Sequence, residues 1–489
     1  MTFSEPAMPA LPPRLNLIDG EHVAAAGGLT IAVIDPADGQ PFTTLPRSDQ
    51  RDVDAAVAAA RAAFHGPWGR MTATERGRVL MKLSVLITQH HAELAELECR
   101  DAGKPIQQAR VDITACARYF EYYAGAADKL HGETIPYAQG STVMALRVPH
   151  GVTGHIVPWN YPAQIFGRSV GGALAAGNAA VVKPAEDACL TPLRIAALGL
   201  EAGLPPGALN IVCGLGTEAG AALAAHPGLN HISFTGSPQT GTAVAQAAAV
   251  NHVPVTLELG GKSPQILFAD ADLDAALPVV VNAIIQNAGQ TCSAGSRVLI
   301  ERSIYGEVMG KLKARFEALR TGPGPAAPDC GPLISRKQLD RVEAKAASAR
   351  DAGGRVFARA QLVADAPKTG FYFPPLLLAD LPITHEVAQD EVFGPVLAAF
   401  AFEGEDEAAR LANDTPYGLT AAVWTRDGSR ALRMAHRIEA GQVFINNYGA
   451  GGGIELPFGG MKHSGYGREK AFEGLKSFTT IKTVAILHG

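Results

Sequence analysis

Cys292 lies in the stretch Gln286-Asn287-Ala288-Gly289-Gln290-Thr291-Cys292-Ser293-Ala294-Gly295, among small and amide side chains rather than among Leu, Ile and Val. A glycine on each side lets other backbone come close. That suits a thiol held for attack, although packing is the commoner fate of a single cysteine. A thiol nucleophile requires a base or a lowered pKa, and the oxygen of its carbonyl adduct requires hydrogen-bond donors. Asn160, within Pro158-Trp159-Asn160-Tyr161-Pro162, adds a side-chain amide to the backbone N–H of Cys292 as a donor. Glu258, at the boundary Leu257-Glu258-Leu259-Gly260-Gly261-Lys262, is an acceptor. Taken singly, Asn160 also reads as a turn residue and Glu258 as a surface or capping carboxylate. No neighbouring His-Asp arrangement suggests a protease-like triad.

The elements that must position these groups alternate. Between 150 and 260, short apolar segments such as Gly154-His155-Ile156-Val157, Ala179-Ala180-Val181-Val182, Leu209-Asn210-Ile211-Val212 and His231-Ile232-Ser233-Phe234 are separated by alanine-rich stretches. This predicts an α/β domain with a largely parallel sheet. Gly214-Leu215-Gly216-Thr217-Glu218-Ala219-Gly220 follows the third segment, but its glycine spacing departs from the dinucleotide fingerprint and makes it a weak phosphate loop. Phe234-Thr235-Gly236-Ser237 ends a strand before a helix expected over 242–250, where free backbone N–H groups and Ser237 either receive an anion or simply cap. A second α/β pattern follows 260, with a helix expected over 273–289 and a strand at Arg297-Val298-Leu299-Ile300. Upstream, a proline-rich lead precedes helices expected over 53–64, 74–101 and 107–129. Residues 133–148 fit a β-hairpin that serves as a domain crossover or an oligomer contact. The loop 449–453 reads as flexible, and the tail 477–487 as a strand able to lie on another subunit's sheet. A dinucleotide half followed by a cysteine half points to oxidation through a thiol adduct, whose carbon can pass hydride to a nicotinamide.

Composition narrows the classes. Hydrophobic residues make up 47% and charged residues 18% of 489, as in an ordinary globular enzyme with room for two or three domains. With 42 basic and 47 acidic residues and no long basic run, nucleic acid is excluded as a partner. The six cysteines are widely spaced without a CxxC pair, so neither a disulfide scaffold nor a metal site is expected. No span is long and apolar enough for a bilayer, the N-terminus lacks a signal-like pattern, and a cytoplasmic protein is expected.

Over nearly its full length the chain resembles the aldehyde dehydrogenase superfamily, of the NAD(P)-dependent, hydrolytic type. The matching pieces, in family order, are Pro158-Trp159-Asn160-Tyr161-Pro162, Lys183-Pro184-Ala185-Glu186, Phe234-Thr235-Gly236-Ser237, Glu258-Leu259-Gly260-Gly261-Lys262, Gly289-Gln290-Thr291-Cys292, Glu391-Val392-Phe393-Gly394-Pro395 and Pro457-Phe458-Gly459-Gly460. The resemblance implies a Rossmann-type cofactor domain (1–125 and 149–259) interrupted by an oligomerisation hairpin (126–148). It also implies a catalytic domain (260–458), a C-terminal segment with an oligomerisation strand (459–489), and a homodimer or homotetramer. It makes Cys292 the nucleophile, Asn160 and the Cys292 N–H the oxyanion donors, and Glu258 the activator of the hydrolytic water. Lys183 and Glu186 should hold the adenosine ribose, Gly236 and Ser237 should meet the pyrophosphate, and Glu391 should hold the nicotinamide ribose. Phe393 should pack near that ribose, and Trp159 should shape the cleft. A carboxylate at Glu186 accepts from ribose hydroxyls and repels a 2'-phosphate, which favours NAD over NADP.

The substrate is a small-molecule aldehyde, and the resemblance places Tyr161, Ile165, Arg168, Gln286, Ile454 and Phe458 in its pocket. Arg168 is where succinate-semialdehyde enzymes and some aromatic-aldehyde enzymes carry arginine. It reads either as an anchor for a distal carboxylate or as the partner of a buried acid. The other two anchors of the succinate-semialdehyde type are replaced by Gln286 and Gly453, while Phe166, Tyr448 and Glu455 suggest a more aromatic or cation-tolerant pocket. The expected substrate is thus aromatic, bulky, or provided with a distal polar or carboxylate group, with succinate semialdehyde as the alternative. Competing readings are a cysteine-dependent thioester hydrolase or acyl-transfer enzyme, and an inactive binding protein on the same fold. Coenzyme-A-acylating relatives generally lack the water-activating glutamate, so Glu258 argues for release of the free acid.

Overall fold

The computed structural model describes residues 14–449 and 453–489. The proline-rich lead, apart from its last residues, and the centre of the 449–453 loop lie outside the described residues. Two large sheets organise the rest. The first has eight strands, in the order Glu21–Val23, Asn16–Ile18, Leu209–Ile211, Ala179–Pro184, Val152–Val157, His231–Thr235, Val255–Glu258 and Gly465–Tyr466. Its five central strands are parallel and, numbered among themselves along the chain, run 3-2-1-4-5. Such a sheet reverses direction between strands 1 and 4, and ligands bind outside the carboxyl ends at that point. Here those ends are the turns leading into Trp159-Asn160 and Gly236-Ser237. The central strands read as continuous apolar runs because helices cover both faces. Leu174, Val181, Ile195, Ile211 and Ile232 are all fully buried in one core.

The second sheet runs Arg355–Arg359, Leu376–Ala379, Val396–Phe402, Arg297–Glu301, Pro264–Leu267, Thr420–Trp424 and Gln442–Ile445, parallel except for the first edge strand. Separate apolar cores lie on its two faces, one around Leu299, Val396 and Val423 and the other around Val280, Val298 and Leu397. The chain enters this sheet directly after Glu258, and Cys292 comes just before Arg297. The site therefore falls where the carboxyl edge of the first sheet faces the entry edge of the second.

A third, small sheet joins Glu133–Ile135 to Ser141–Pro149, which pairs along its whole length with Thr479–Leu487. The hairpin and the terminal strand expected from sequence thus form one unit. Its surface is unusually apolar, with Ile135, Tyr137, Ile481, Ile486 and Leu487 exposed. The segment 459–489 is shared: Gly465–Tyr466 completes the first sheet beside Glu258, and only the later strand joins the small one.

Local differences from the sequence expectations have physical causes. The helix expected over 74–101 is two helices, Ala73–Gln89 and His91–Ala102, with the chain turning at His90. The first is fixed at its start by a capping box, Thr72 accepting from the Glu75 N–H and Glu75 from the Thr72 N–H. The helix before the cysteine stops at Ile285, because Asn287 and Ala288 both adopt left-handed backbone (φ 48° and 53°). No helix among the described residues is long and apolar enough to cross a membrane.

Candidate active site

Cys292 is half-buried and lines two cavities. The one on the side of the first sheet's carboxyl edge measures about 360 Å³ and is walled by Trp159, Gly236, Ser237, Glu258, Glu391 and Phe393. The one on the opposite side measures about 270 Å³ and is walled by Tyr161, Ile165, Arg168, Gln286, Ile454 and Phe458, with Tyr119, Tyr448 and Lys470. Among the described residues, only Asn160 and Cys292 line both.

The left-handed pair explains how the cysteine loop is held. It aims the Asn287 side chain at the Asn160 carbonyl (2.8 Å), while the Asn287 N–H donates to Gln108 (2.8 Å). The Asn160 amide in turn donates to the Gln290 carbonyl at 3.0 Å, and Gln290 accepts from the Ile334 N–H at 2.9 Å. Asn160 is thereby oriented from both ends. Among the described residues the Cys292 N–H donates to no carbonyl. Two glycines allow the close approach of the Glu258 turn: a side chain at Gly261 would collide with the Cys292 carbonyl, and one at Gly260 would stand 2.5 Å from a Glu391 oxygen.

Burial pushes the Cys292 thiol up to about 12, against the opposing pull of Arg168, so the resting group is a thiol that requires a base. Glu258 ends strand Val255–Glu258, is buried, and has no hydrogen-bond partner for either oxygen among the described residues. Burial, and then the nearby Glu469 charge, raises it to about 8. A buried carboxyl poised near neutrality in a cleft is what general-base work requires.

The wider cleft suits a dinucleotide by its donor set. Ser237 caps helix Pro238–Ala249 through the Thr240 N–H, leaving the first N–H groups of a full-length helix at the strand switch point. Glu391 accepts from the Gly261 N–H at 3.2 Å, and burial raises its carboxyl to about 7. Phe393, at φ 56°, meets Trp159 edge-on at 5.3 Å. Lys183 and Glu186 are not in this wall. They form an ion pair of 2.6 Å one strand further out, where Glu186 also accepts from the Gly216 N–H at 3.2 Å. The glycine loop after the third strand thus reaches Glu186 through its Gly216 N–H.

The smaller cavity gathers all six pocket residues predicted from sequence, but with one qualification of role. Arg168 is buried, its guanidinium ion-paired with Glu469 and donating to Thr235 at 3.0 Å. Its charge is matched inside the protein, as the structural alternative required. Phe166 points away into the core against Phe120, and Glu455 pairs with Arg118 at the surface at 3.0 Å, so neither shapes the cavity. Sequence reasoning missed Glu469, Lys470 and Asn287, and in the wider cleft Asp187, which lines it, and Gln338, which donates to the Phe393 carbonyl at 2.6 Å. Gly467-Arg468-Glu469 follows the recognised Pro-Phe-Gly-Gly segment closely, and an isolated Glu-Lys pair there was the only available signal.

Comparison with known proteins decides the family, since the aldehyde dehydrogenase family model matches residues 22–484. The chain belongs to the aldehyde dehydrogenase family. Among relatives of this dehydrogenase, aldehyde dehydrogenase family 2 member B4, mitochondrial, of Arabidopsis thaliana is 42% identical over 96% of this chain and 87% of its own. A crystal structure from Burkholderia cenocepacia, assigned to the aldehyde dehydrogenases, superposes with a TM-score of 0.97 at 66% identity, covering 97% of this chain and all of that one. Betaine aldehyde dehydrogenase from Staphylococcus aureus, solved in complex with NAD+, gives a TM-score of 0.95 at 35% identity, covering 97% and 95% of the two chains.

Proposed function

We propose that this aldehyde dehydrogenase oxidises an aldehyde to the free acid with NAD, entering through the 270 Å³ cavity and held against Cys292. The observation that carries the reading is the junction itself, where Cys292 and Asn160 face both cavities and the partnerless Glu258 stands on the cofactor side. The Cys292 sulfur bonds to the aldehyde carbon as its proton passes to Glu258. The resulting oxyanion is held by the Asn160 amide and the Cys292 N–H. NAD, when bound in the wider cleft, supplies the acceptor for the hydride whose loss makes the adduct a thioester. Glu258, its proton returned to solvent, then draws a proton from water, whose oxygen bonds to the acyl carbon. The C–S bond breaks, the acid departs and Cys292 takes back a proton.

Support for NAD over NADP lies in the Lys183–Glu186 pair. Burial opposes the charge of Glu186, but Lys183 and the Gly216 N–H outweigh it, and its carboxyl lies below the ordinary value. It is a carboxylate where a 2'-phosphate would sit, and NAD complexes among the relatives agree. Tyr119, Tyr161, Tyr448 and Phe458, with Val111, Ile165, Val279 and Ile454, suit an aromatic or bulky aldehyde. The exposed apolar face of the small sheet and the outer edge of Thr479–Leu487 support pairing with a second copy of the chain, in a dimer or a tetramer.

The test is NADH formation with aliphatic, aromatic and carboxylate-bearing aldehydes, with the product acid measured, and the same panel with Cys292→Ala. Wild-type oxidation and a silent variant are expected. Undiminished turnover in Cys292→Ala refutes the nucleophile, and a tighter kcat/KM for NADP refutes the cofactor assignment.

A further inference from the structure

Apart from Asn160 and Cys292, most polar groups of the aldehyde cavity wall are engaged by the protein itself. The Tyr161 hydroxyl meets that of Thr291 at 2.8 Å, and the Tyr448 hydroxyl meets Thr420 at 2.8 Å and the Ser293 carbonyl. Asn282 and Gln286 are reached by solvent. Tyr119 differs from all of these. It lines the same cavity and is only 1% exposed, yet its hydroxyl has no hydrogen-bond partner among the described residues. A buried phenol ordinarily finds one, so an unmatched hydroxyl at a cavity wall calls for an explanation.

The helix Ile106–Ala126 places it there. Gln108, Val111, Asp112, Ala115 and Tyr119 follow one another on a single helical stripe, and all five line the cavity. Val111 is 63% exposed and marks the mouth, whereas Tyr119 lies two turns further along. Ala115, one turn before Tyr119, adds only a methyl to the wall. The base of the Tyr119 ring is packed against helix Pro162–Ala176, where a side chain at Gly167 would stand 3.3 Å from its Cβ. Tyr123, one turn beyond, has its hydroxyl sealed in the core instead.

From this arrangement, and resting on the aldehyde-oxidation reading above, we propose that Tyr119 is a specificity-determining residue whose hydroxyl donates to a neutral oxygen on the distal part of the aldehyde. The preferred substrates then carry an ether, hydroxyl or carbonyl oxygen away from the reacting end. Burial holds the phenol above its ordinary range, against the pull of Arg168, so at neutral pH it is protonated and donates. A substrate oxygen gives this donor the partner that the protein withholds. A hydrocarbon end of the same shape expels its water and leaves it unpaired, and an unmet hydrogen bond discriminates more sharply than shape alone. The charged groups of the wall, Asp112, Arg168 and Lys470, all have partners already, so a neutral oxygen fits the cavity better than an ion.

The experiment compares isosteric substrates with saturating NAD: 4-methoxybenzaldehyde against 4-ethylbenzaldehyde, and 3-methoxybenzaldehyde against 3-ethylbenzaldehyde, in the wild type and in Tyr119→Phe. The wild type is expected to favour the methoxy member of at least one pair by about tenfold in kcat/KM, chiefly through KM. Tyr119→Phe removes only the hydroxyl and should bring that ratio close to unity. Comparing the ratio between the two enzymes cancels the electronic difference between the substituents. Wild-type ratios near unity in both pairs overturn the assignment. So does a ratio that Tyr119→Phe leaves unchanged, whether both members fall equally or neither falls, since the hydroxyl would then serve the fold alone. Should Tyr119→Phe fail to fold, inhibition of the intact enzyme decides. A 3- or 4-methoxyacetophenone competing with benzaldehyde about tenfold more tightly than its ethyl counterpart supports the proposal, and equal inhibition by both pairs overturns it. An enzyme that oxidises the ethyl members as readily as the methoxy ones loses only the Tyr119 assignment, whereas silence on every aldehyde removes the underlying reading as well.

Discussion

The raised carboxyl of Glu258 makes the hydrolytic half of the reaction pH-dependent in a calculable way. With its pKa near 8, about a tenth of Glu258 is ionised at pH 7 and about nine-tenths at pH 9. If Glu258 is the base that activates water, hydrolysis of the thioester should rise about tenfold between those values, with its midpoint near 8. The causes are burial first and the charge of Glu469 second, so Glu469→Gln should move the midpoint down. The assay is single-turnover acid release, separated from the NADH burst, from pH 6 to pH 10. Glu258→Gln should leave a slow, flat hydrolytic phase. A profile flat in the wild type, or an unchanged midpoint near 8 in Glu258→Gln, would refute the assignment. Stability carries the same signature. A carboxyl whose folded pKa exceeds its unfolded value loses stability as pH rises between the two, so Glu258→Gln should raise Tm more at pH 8 than at pH 5.

Asn160→Ala should lower kcat about 10²–10³-fold with little change in KM, the usual cost of one oxyanion donor; a change confined to KM would make Asn160 a substrate-binding residue only. Glu469→Leu leaves the Arg168 charge buried without its partner and should destabilise the fold by about 3–5 kcal/mol in urea unfolding, while the double variant with Arg168→Leu should recover much of that. Ile481→Lys, on the exposed face of the terminal strand, should reduce the assembly seen by light scattering, and an unchanged mass would argue against that face as the interface.

What was legible in the sequence was whatever local pattern encodes. The parallel strands of the first sheet announce themselves as apolar runs because both faces are covered. Cys292 was legible among small residues and Glu258 beside glycines, whereas the role of Asn160 was legible only through its match to the family's Pro-Trp-Asn-Tyr-Pro segment. The stop at Ile285 was not legible, since nothing local favours left-handed backbone at Ala288, and Asn287 is held in it by bonds to Asn160 and Gln108 that are distant in sequence. Nor was the state of Arg168, because its partner Glu469 is distant in sequence and nothing local links them. Lys470 was hidden for a similar reason. A lysine after a glutamate in a polar segment reads as solvated, and only the pinned backbone at Phe458 and Ile454 turns it inwards.

That the two cavities meet, among the described residues, only at Asn160 and Cys292 has a kinetic consequence. With aldehyde and dinucleotide in the cavities proposed for them, the two would approach from opposite doors, neither would obstruct the other's path, and acid would be free to depart while the nucleotide stays in place. The two rooms can also be altered separately. On that proposal, exchanging residues such as Gln286 and Ile454, which line only the smaller cavity, should admit other aldehydes with the dinucleotide affinity intact.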